Sequence, residues 1–422
     1  MNKPNIRFNA FSDSWNNPTI EDLFELRNGY TPSKAVDAFW TNGTIPWFRM
    51  EDIRSKGNKL AEAFQKITPE AVKSGGLFKQ NSIILATTAT IGEHAMLIAD
   101  SLANQQFTNF KIRKSLECDY LPDFVNYAFY KVDEWCLKNT NSGGLLSVDL
   151  KGLVKQPFYV PSLLEQNKIS SFLRHLESSI ECENQKLTSM HQIKSACLQS
   201  MFPQEGESAP KVRFKGFNEE WNTISFSEAF EFLRNNSLSR AELAETGTVY
   251  NIHYGDILIK FGDCLFIEQD SDIPFIKDEK IANKLISSSL IKNGDIIFAD
   301  AAEDYTVGKC IEVITKQENK IVSGLHTIPC RPTLHFASGY LGYYLNSNIF
   351  HNQLIGMIQG SKVCSISKKG LRTTQLIYPK DLAEQQKIAS YFENLDKQIS
   401  LQTQRLEKLK QIKSACLDKM FV

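Results

Sequence analysis

The chain has no excess charge of either sign: its 422 residues include 48 Lys and Arg against 48 Asp and Glu. The total charge therefore supplies no strong non-specific pull toward nucleic acid, and any basic surface must be local. Also missing is a run of about eighteen apolar residues, the minimum for a bilayer span. The opening MNKPNIRFNAF lacks the basic-then-apolar layout of a secretory signal. These absences predict a cytoplasmic chain with no membrane partner. The nine cysteines are scattered, and none stands two to four residues from another as zinc ligands do. They read as reduced thiols, most of them buried, with no metal site.

Catalytic signatures are missing too. There is no G-x-x-x-x-G-K-[ST]; the stretch Gly356 to Lys362 has the wrong spacing and no strand before it. No H-E-x-x-H or G-x-S-x-G occurs. The nearest approach to a methyltransferase tetrapeptide, Asp272 to Phe275, is a poor imitation in an acidic stretch. The seven histidines form no ligand pair, and the carboxylates read as solvated surface charge.

What is present is repetition. QIKSACL occurs as Gln192–Leu198 and again as Gln411–Leu417. The match extends: Glu165-Gln166 answers Glu384-Gln385, Lys168-Ile169 answers Lys387-Ile388, and Met201-Phe202 answers Met420-Phe421. A second match pairs Pro4, Arg7, Phe8, Phe11 and Trp15 with Pro210, Arg213, Phe214, Phe217 and Trp221. The chain is an A-B-A′-B′ duplication whose B segments are alike and whose A interiors diverge. Expected boundaries are 1–160, 161–203, 204–378 and 379–422.

Each B segment has an apolar seam alternating by threes and fours, without Pro or Gly in its interior. The first uses Ile169, Leu173, Leu176, Ile180, Leu187 and Met190; the second uses Ile388, Phe392, Leu395, Ile399, Leu406 and Leu409. Each predicts a helix of about 35 residues, about 50 Å long, whose narrow seam is best covered by the other copy. The seam alone does not fix parallel or antiparallel packing. The A segments mix strand-like runs (44–53, 79–92, 248–258, 292–314) with aromatic helical stretches (120–135, 340–354). Two α+β domains are expected.

A helix opened by Pro161, Glu165, Gln166, Lys168 and Ile169, repeated at Pro379, Glu384, Gln385, Lys387 and Ile388, after segments beginning R-F-x-x-F-x-x-x-W, resembles the specificity subunit of type I restriction-modification systems. The resemblance covers the whole chain. It implies an α+β fold with two target-recognition domains, separated by two long helices packed as an antiparallel coiled coil, in a pseudo-two-fold repeat. Such a subunit reads a bipartite target in double-stranded DNA, with a non-specific spacer, and docks two methyltransferase subunits and, through them, restriction subunits. A rod of about 50 Å would set two reading heads one to one and a half duplex turns of about 34 Å apart. No cofactor is expected in this chain; S-adenosylmethionine, ATP and Mg belong with the partner subunits.

Base reading needs polar side chains on loops. In the first domain Arg49, Thr87, Thr88, Thr90, His94, Asn104, Gln105 and Gln106 interrupt strand-like runs and are candidates. In the second, His253, Tyr254, Lys260, Tyr305, Lys309, His326 and Lys362 are comparable. A polar loop before each helix, Asn139, Asn141, Ser142 and Gly143 in one and Gly360, Ser361 and Lys362 in the other, is a candidate to approach the DNA backbone. Every one of these also has a plain structural reading as a turn or strand edge. Off-seam residues identical in both helices, Gln192, Lys194 and Ser195 with Gln411, Lys413 and Ser414, are candidate docking contacts, while Ile193 and Cys197 are assigned to the core.

Three rivals differ in class. A stand-alone nuclease or methyltransferase would be active as the isolated chain. A coiled-coil adaptor would touch no nucleic acid. A specificity subunit of a fused restriction-methylation enzyme would co-purify with a different partner.

Overall fold

The computed structural model describes residues 3–141, 144, 146–204, 206–267, 272–360 and 362–422. The chain falls into two compact units, Met1–Asn184 with Gln404–Val422, and Gln185–Thr403.

The first unit is built on a five-stranded sheet ordered Phe24–Asn28, Phe107–Ile112, Ile83–Ala86, His94–Leu97 and Lys59–Leu60. Its pairs are antiparallel except the last, which is parallel. The strand Ile83–Ala86 is apolar without a break and buried throughout, because each of its faces has a core. Ile83 and Leu85 pack with the helix Pro122–Lys138 and with Ile169 and Leu173. Ile84 and Ala86 face Trp47, Phe48 and Leu102 in a smaller three-stranded sheet.

The second unit repeats this plan with Phe230–Phe232, Thr327–Pro332, Ile296–Ala299, Cys310–Ile314 and Cys264–Phe266. Ile296 and Phe298 share a core with Phe392 and Phe202, while Ile297 and Ala299 face a second one with Ile252, Ile291 and Ile321. Two expected strands are only partly so: Ile45–Phe48 and Tyr250–Ile252 each run straight into a short helix, Met50–Lys56 and Tyr254–Ile259. A buried Asp sits in the first turn of each helix. Asp52 accepts from the backbone N–H of Arg49 at 2.8 Å, and Asp256 accepts from Arg240 at 2.8 Å. The aromatic stretch 340–354 is two helices, Tyr340–Leu345 and Asn348–Ile355, because the Asn346 amide turns aside to the backbone of Cys310.

The B segments are helices Leu163–Ser200 and Leu382–Lys419, 38 residues each. Each contributes its N-terminal half to the unit that holds its own head and its C-terminal half to the other unit. The two half-helices within each unit run antiparallel. In the first, Lys413 pairs with Glu177 at 2.8 Å and Arg405 with Glu183 at 3.3 Å; in the second, Lys194 pairs with Asp396 at 2.6 Å and Cys197 with Tyr391 at 3.2 Å.

The repeated motifs tie each head to its helices. Arg7 grips the buried Glu165 with two hydrogen bonds of 2.7 Å, and Arg213 grips Glu384 at 2.6 and 2.8 Å. Gln166 accepts from the N–H of Leu121 while donating to the Pro161 carbonyl, and Gln385 does the same with Ala337 and Pro379. Trp15 meets Phe421, the penultimate residue of the chain, as Trp221 meets Phe202. E-Q and M-F are therefore anchors: one fastens a helix start to its own head, the other a helix end to the opposite head.

Candidate nucleic-acid interface

In each head the central strand pair has one end toward the long helices and one end away. In the second unit the near end is marked by a depression lined by Asp295, Arg331, Phe336, Leu382 and Gln386. The far end carries the loops. Ala301-Ala302 pairs with Cys364-Ser365, so the loop 300–308, with the exposed Tyr305, and the hairpin carrying the exposed Lys362 rise together. His326 closes the same end: the Asp300 N–H donates to the His326 carbonyl at 3.1 Å.

The first unit has the same arrangement. The backbone N–H groups of Thr87 and Thr88 donate to the Gln106 carbonyl, and Thr88 bridges to Ser147, so the loops 87–92, 104–106 and 146–148 converge. Gly92 and Gly308 return these loops to the sheet with φ of +78° and +89°. A side chain there would stand 2.7 Å from Leu137 in the first head and 2.8 Å from Leu354 in the second, so only glycine fits.

The structure sorts the candidates. In the first head Thr88, Thr90, Gln105 and Gln106 lie at the far end and reach its surface, and the Gln105 side-chain Oε1 accepts from the Thr31 hydroxyl at 2.5 Å. Arg49 is half-buried beside Glu51 and over Trp47. Three others are interior. Thr87 is buried with its hydroxyl on Thr108 at 2.9 Å. Asn104 is buried and makes the turn, accepting from the Gln106 N–H at 3.0 Å. His94 is a core residue, with Nδ1 2.5 Å from Asp133 and Nε2 2.9 Å from the Asn126 carbonyl. Burial pushes the Asp133 carboxyl up and His94 draws it partly back. Both ring nitrogens are engaged inside the core, which leaves neither for DNA. Ser142, Gly143 and Ser361 lie outside the described residues.

In the second head His326, Tyr254, Tyr305 and Lys362 reach the surface. Tyr254 stands edge-on to His326 with ring centroids 5.3 Å apart, and against His253 at 4.6 Å. His253 itself is buried and caps a helix, its Nδ1 accepting from the Gly255 N–H at 3.2 Å. Burial, then Arg240, lowers its pKa. Lys309 is turned inward, its ammonium 2.7 Å from the Phe261 carbonyl and depressed in pKa by burial, so it closes a helix end instead of facing a phosphate. Lys260 is exposed at the far end of its short helix and pairs with Asp272 at 2.6 Å. The motif search missed Thr31 and Asp300; Asp300 follows the strand Ile296–Ala299 where the first head has Thr87, a position that the aligned ladders alone reveal.

On the helices, Gln192, Ser195, Gln411 and Ser414 are exposed. Lys194 and Lys413 both turn inward onto carboxylates. Ile193, assigned to the core, and its equivalent Ile412 are 50% and 40% exposed. The seam continues past Met190 by four and then three, to Lys194 and Cys197, which leaves Ile193 outside.

Among the described residues no group of His, Cys, Asp and Glu is arranged to hold a metal, and no helix is long and apolar enough to cross a membrane.

The family described as "Type I restriction modification DNA specificity domain" matches residues 12–192 and 218–411, one match per repeat. The chain belongs to this family. Specificity subunits are non-catalytic members of type I restriction-modification systems. A stretch of 142 residues is 47% identical to the specificity subunit of the Escherichia coli type I restriction enzyme EcoprrI, covering 34% of this chain and 35% of that one. A second relative, the EcoR124I/EcoR124II specificity subunit of Escherichia coli, is 26% identical over 162 residues, 37% of this chain and 39% of that one. The chain thus spans little more than a third of the length of these relatives. The fold is that of the type I S subunit from M. genitalium, with a TM-score of 0.55 at 14% identity over 100% of this chain and 99% of that one. A chain from a structure describing "complex assembly" and "conformational transition of the type I R-M system" gives a TM-score of 0.61 at 16% identity over 96% and 97%.

Proposed function

We propose that this specificity subunit reads a bipartite DNA target, one half-site per head, and docks two methyltransferase subunits, through which restriction subunits join. The observation that carries the reading is the recurrence of anchoring contacts around divergent loop ends: Arg7–Glu165 and Arg213–Glu384 are the same pair twice, whereas one tip carries Thr88, Gln105 and Gln106 and the other carries Asp300, Tyr305 and His326. Equal anchors suit equal partners, and unequal tips suit unequal half-sites. Two-fold repetition also suits a duplex whose strands run oppositely.

Methyl transfer with S-adenosylmethionine, and cleavage driven by ATP with Mg, then belong to the partner chains, in the cytoplasm. With zero net charge, the free subunit binds DNA weakly and the partners supply much of the cationic clamp. The test is to co-express the chain with the methyltransferase encoded beside it and to map methylated bases across the genome by single-molecule sequencing. A bipartite motif with a fixed gap is expected. Methylation at an unbroken short site, or none that depends on this chain, would overturn the reading.

A further inference from the structure

His326 holds a backbone conformation that costs the chain something. Its φ is +53°, in the left-handed region that most side chains avoid, and its side chain is 52% exposed, so core packing does not explain it. Two neighbours hold the ring. Asp300 Oδ1 lies 3.2 Å from Nδ1, and Tyr254 packs edge-on at 5.3 Å. His253, buried behind Tyr254, is occupied with the Gly255 N–H. Among the described residues nothing bonds to Nε2 of His326. Residues held in such a conformation by their surroundings cluster at functional sites.

We propose that His326 is a specificity-determining residue of the second head, reading the exocyclic amine of an adenine or a cytosine, with Asp300 as its positioning residue. This rests on the DNA-reading function proposed above. An Asp300 carboxylate accepting from Nδ1–H leaves Nε2 with its lone pair outward, as an acceptor. An acceptor beside a carboxylate repels phosphate, so it suits a base edge and not the backbone. In the major groove, amino donors are offered by adenine N6 and cytosine N4. The first head has Gln106 at the same ladder position, immediately before its strand Phe107–Ile112, so one site in the fold carries two different readers.

The experiment is methylation mapping of the complex with H326G, since glycine accepts a positive φ without strain while the whole side chain is removed. A wild-type complex that gives no bipartite motif would fail the functional reading itself. Given the wild-type motif, H326G is expected to lose about tenfold or more of its discrimination at one base pair of one half-site, with the other half-site and the gap unchanged. An unchanged motif in H326G overturns the assignment. Should H326G abolish methylation, H326N, which also tolerates this backbone, decides: altered preference at one position supports the assignment, and an unaltered motif overturns it. For Asp300, D300A is expected to relax that same position while D300N, which keeps an acceptor for Nδ1–H, retains it; equal loss in both would remove Asp300 from its role.

Discussion

The Lys194 ammonium lies 2.6 Å from Asp396 on the opposite helix, and the equivalent Lys413 lies 2.8 Å from Glu177. Both occupy seam positions, where a lone polar residue sets register at a cost in stability. The two are not equal, because Lys194 also meets Asp263 of its head at 2.7 Å. Burial opposes its charge, but the two carboxylates outweigh it and its pKa lies above that of a free lysine. K194A leaves Asp263 and Asp396 without their shared cation, although Asp396 keeps the Tyr343 hydroxyl, and should cost about 2 kcal/mol, less than a fully buried pair because the site is partly open. K413A should cost about 1 kcal/mol or less. Chemical denaturation of the two variants gives the comparison, and equal costs would contradict it.

Phe421 and Phe202 are helix-end anchors in different units. Removing either aromatic leaves a cavity worth about 3–5 kcal/mol. F421A is expected to lower protection in the first unit alone, and F202A in the second alone, read by hydrogen exchange across the whole chain. Loss spread over both units in either variant would mean that they do not unfold separately.

Glu312 is buried and accepts the backbone N–H groups of Gly339 and Gly342 at 2.7 and 2.9 Å. Burial raises its pKa to about 7, against the pull of those N–H groups. The folded state therefore binds the proton more tightly than the unfolded chain does. The stability it confers is present below the ordinary carboxylate range and is lost as pH rises to about 7, at up to about 1.4 kcal/mol per pH unit. E312Q cannot ionise, so the difference in unfolding free energy between wild type and E312Q should fall from pH 5 to pH 8. A flat difference would show that Glu312 stays ionised throughout.

Ile193 and Ile412 are exposed aliphatics at equivalent places on two helices, which is what two equal docking surfaces would require. I193D and I412D are each expected to lose one methyltransferase from the assembled complex, and the double variant both, measured by native mass spectrometry. Retention of both subunits in the double variant would move the docking surface elsewhere.

The duplication, the two long helices and the α+β heads were legible in the sequence, because period and repetition are local signals. The interior of the seam was not read to its end. Ile193 looks like core by composition, yet the three-four alternation passes through Lys194, whose carboxylate partners are distant in sequence. His94 and Lys309 have the chemistry of readers but are claimed by Asp133 and by the Phe261 carbonyl, contacts that only the fold creates. Asp300 carried no motif, and its place beside His326 comes from strand pairing between residues far apart in the chain.

The most direct test of the central claim is to replace the second head, residues 204–378, by that of another specificity subunit and to map methylation by the resulting complex. The account predicts that one half-site changes while the other half-site and the gap between them stay as they were. A change in both half-sites would contradict it.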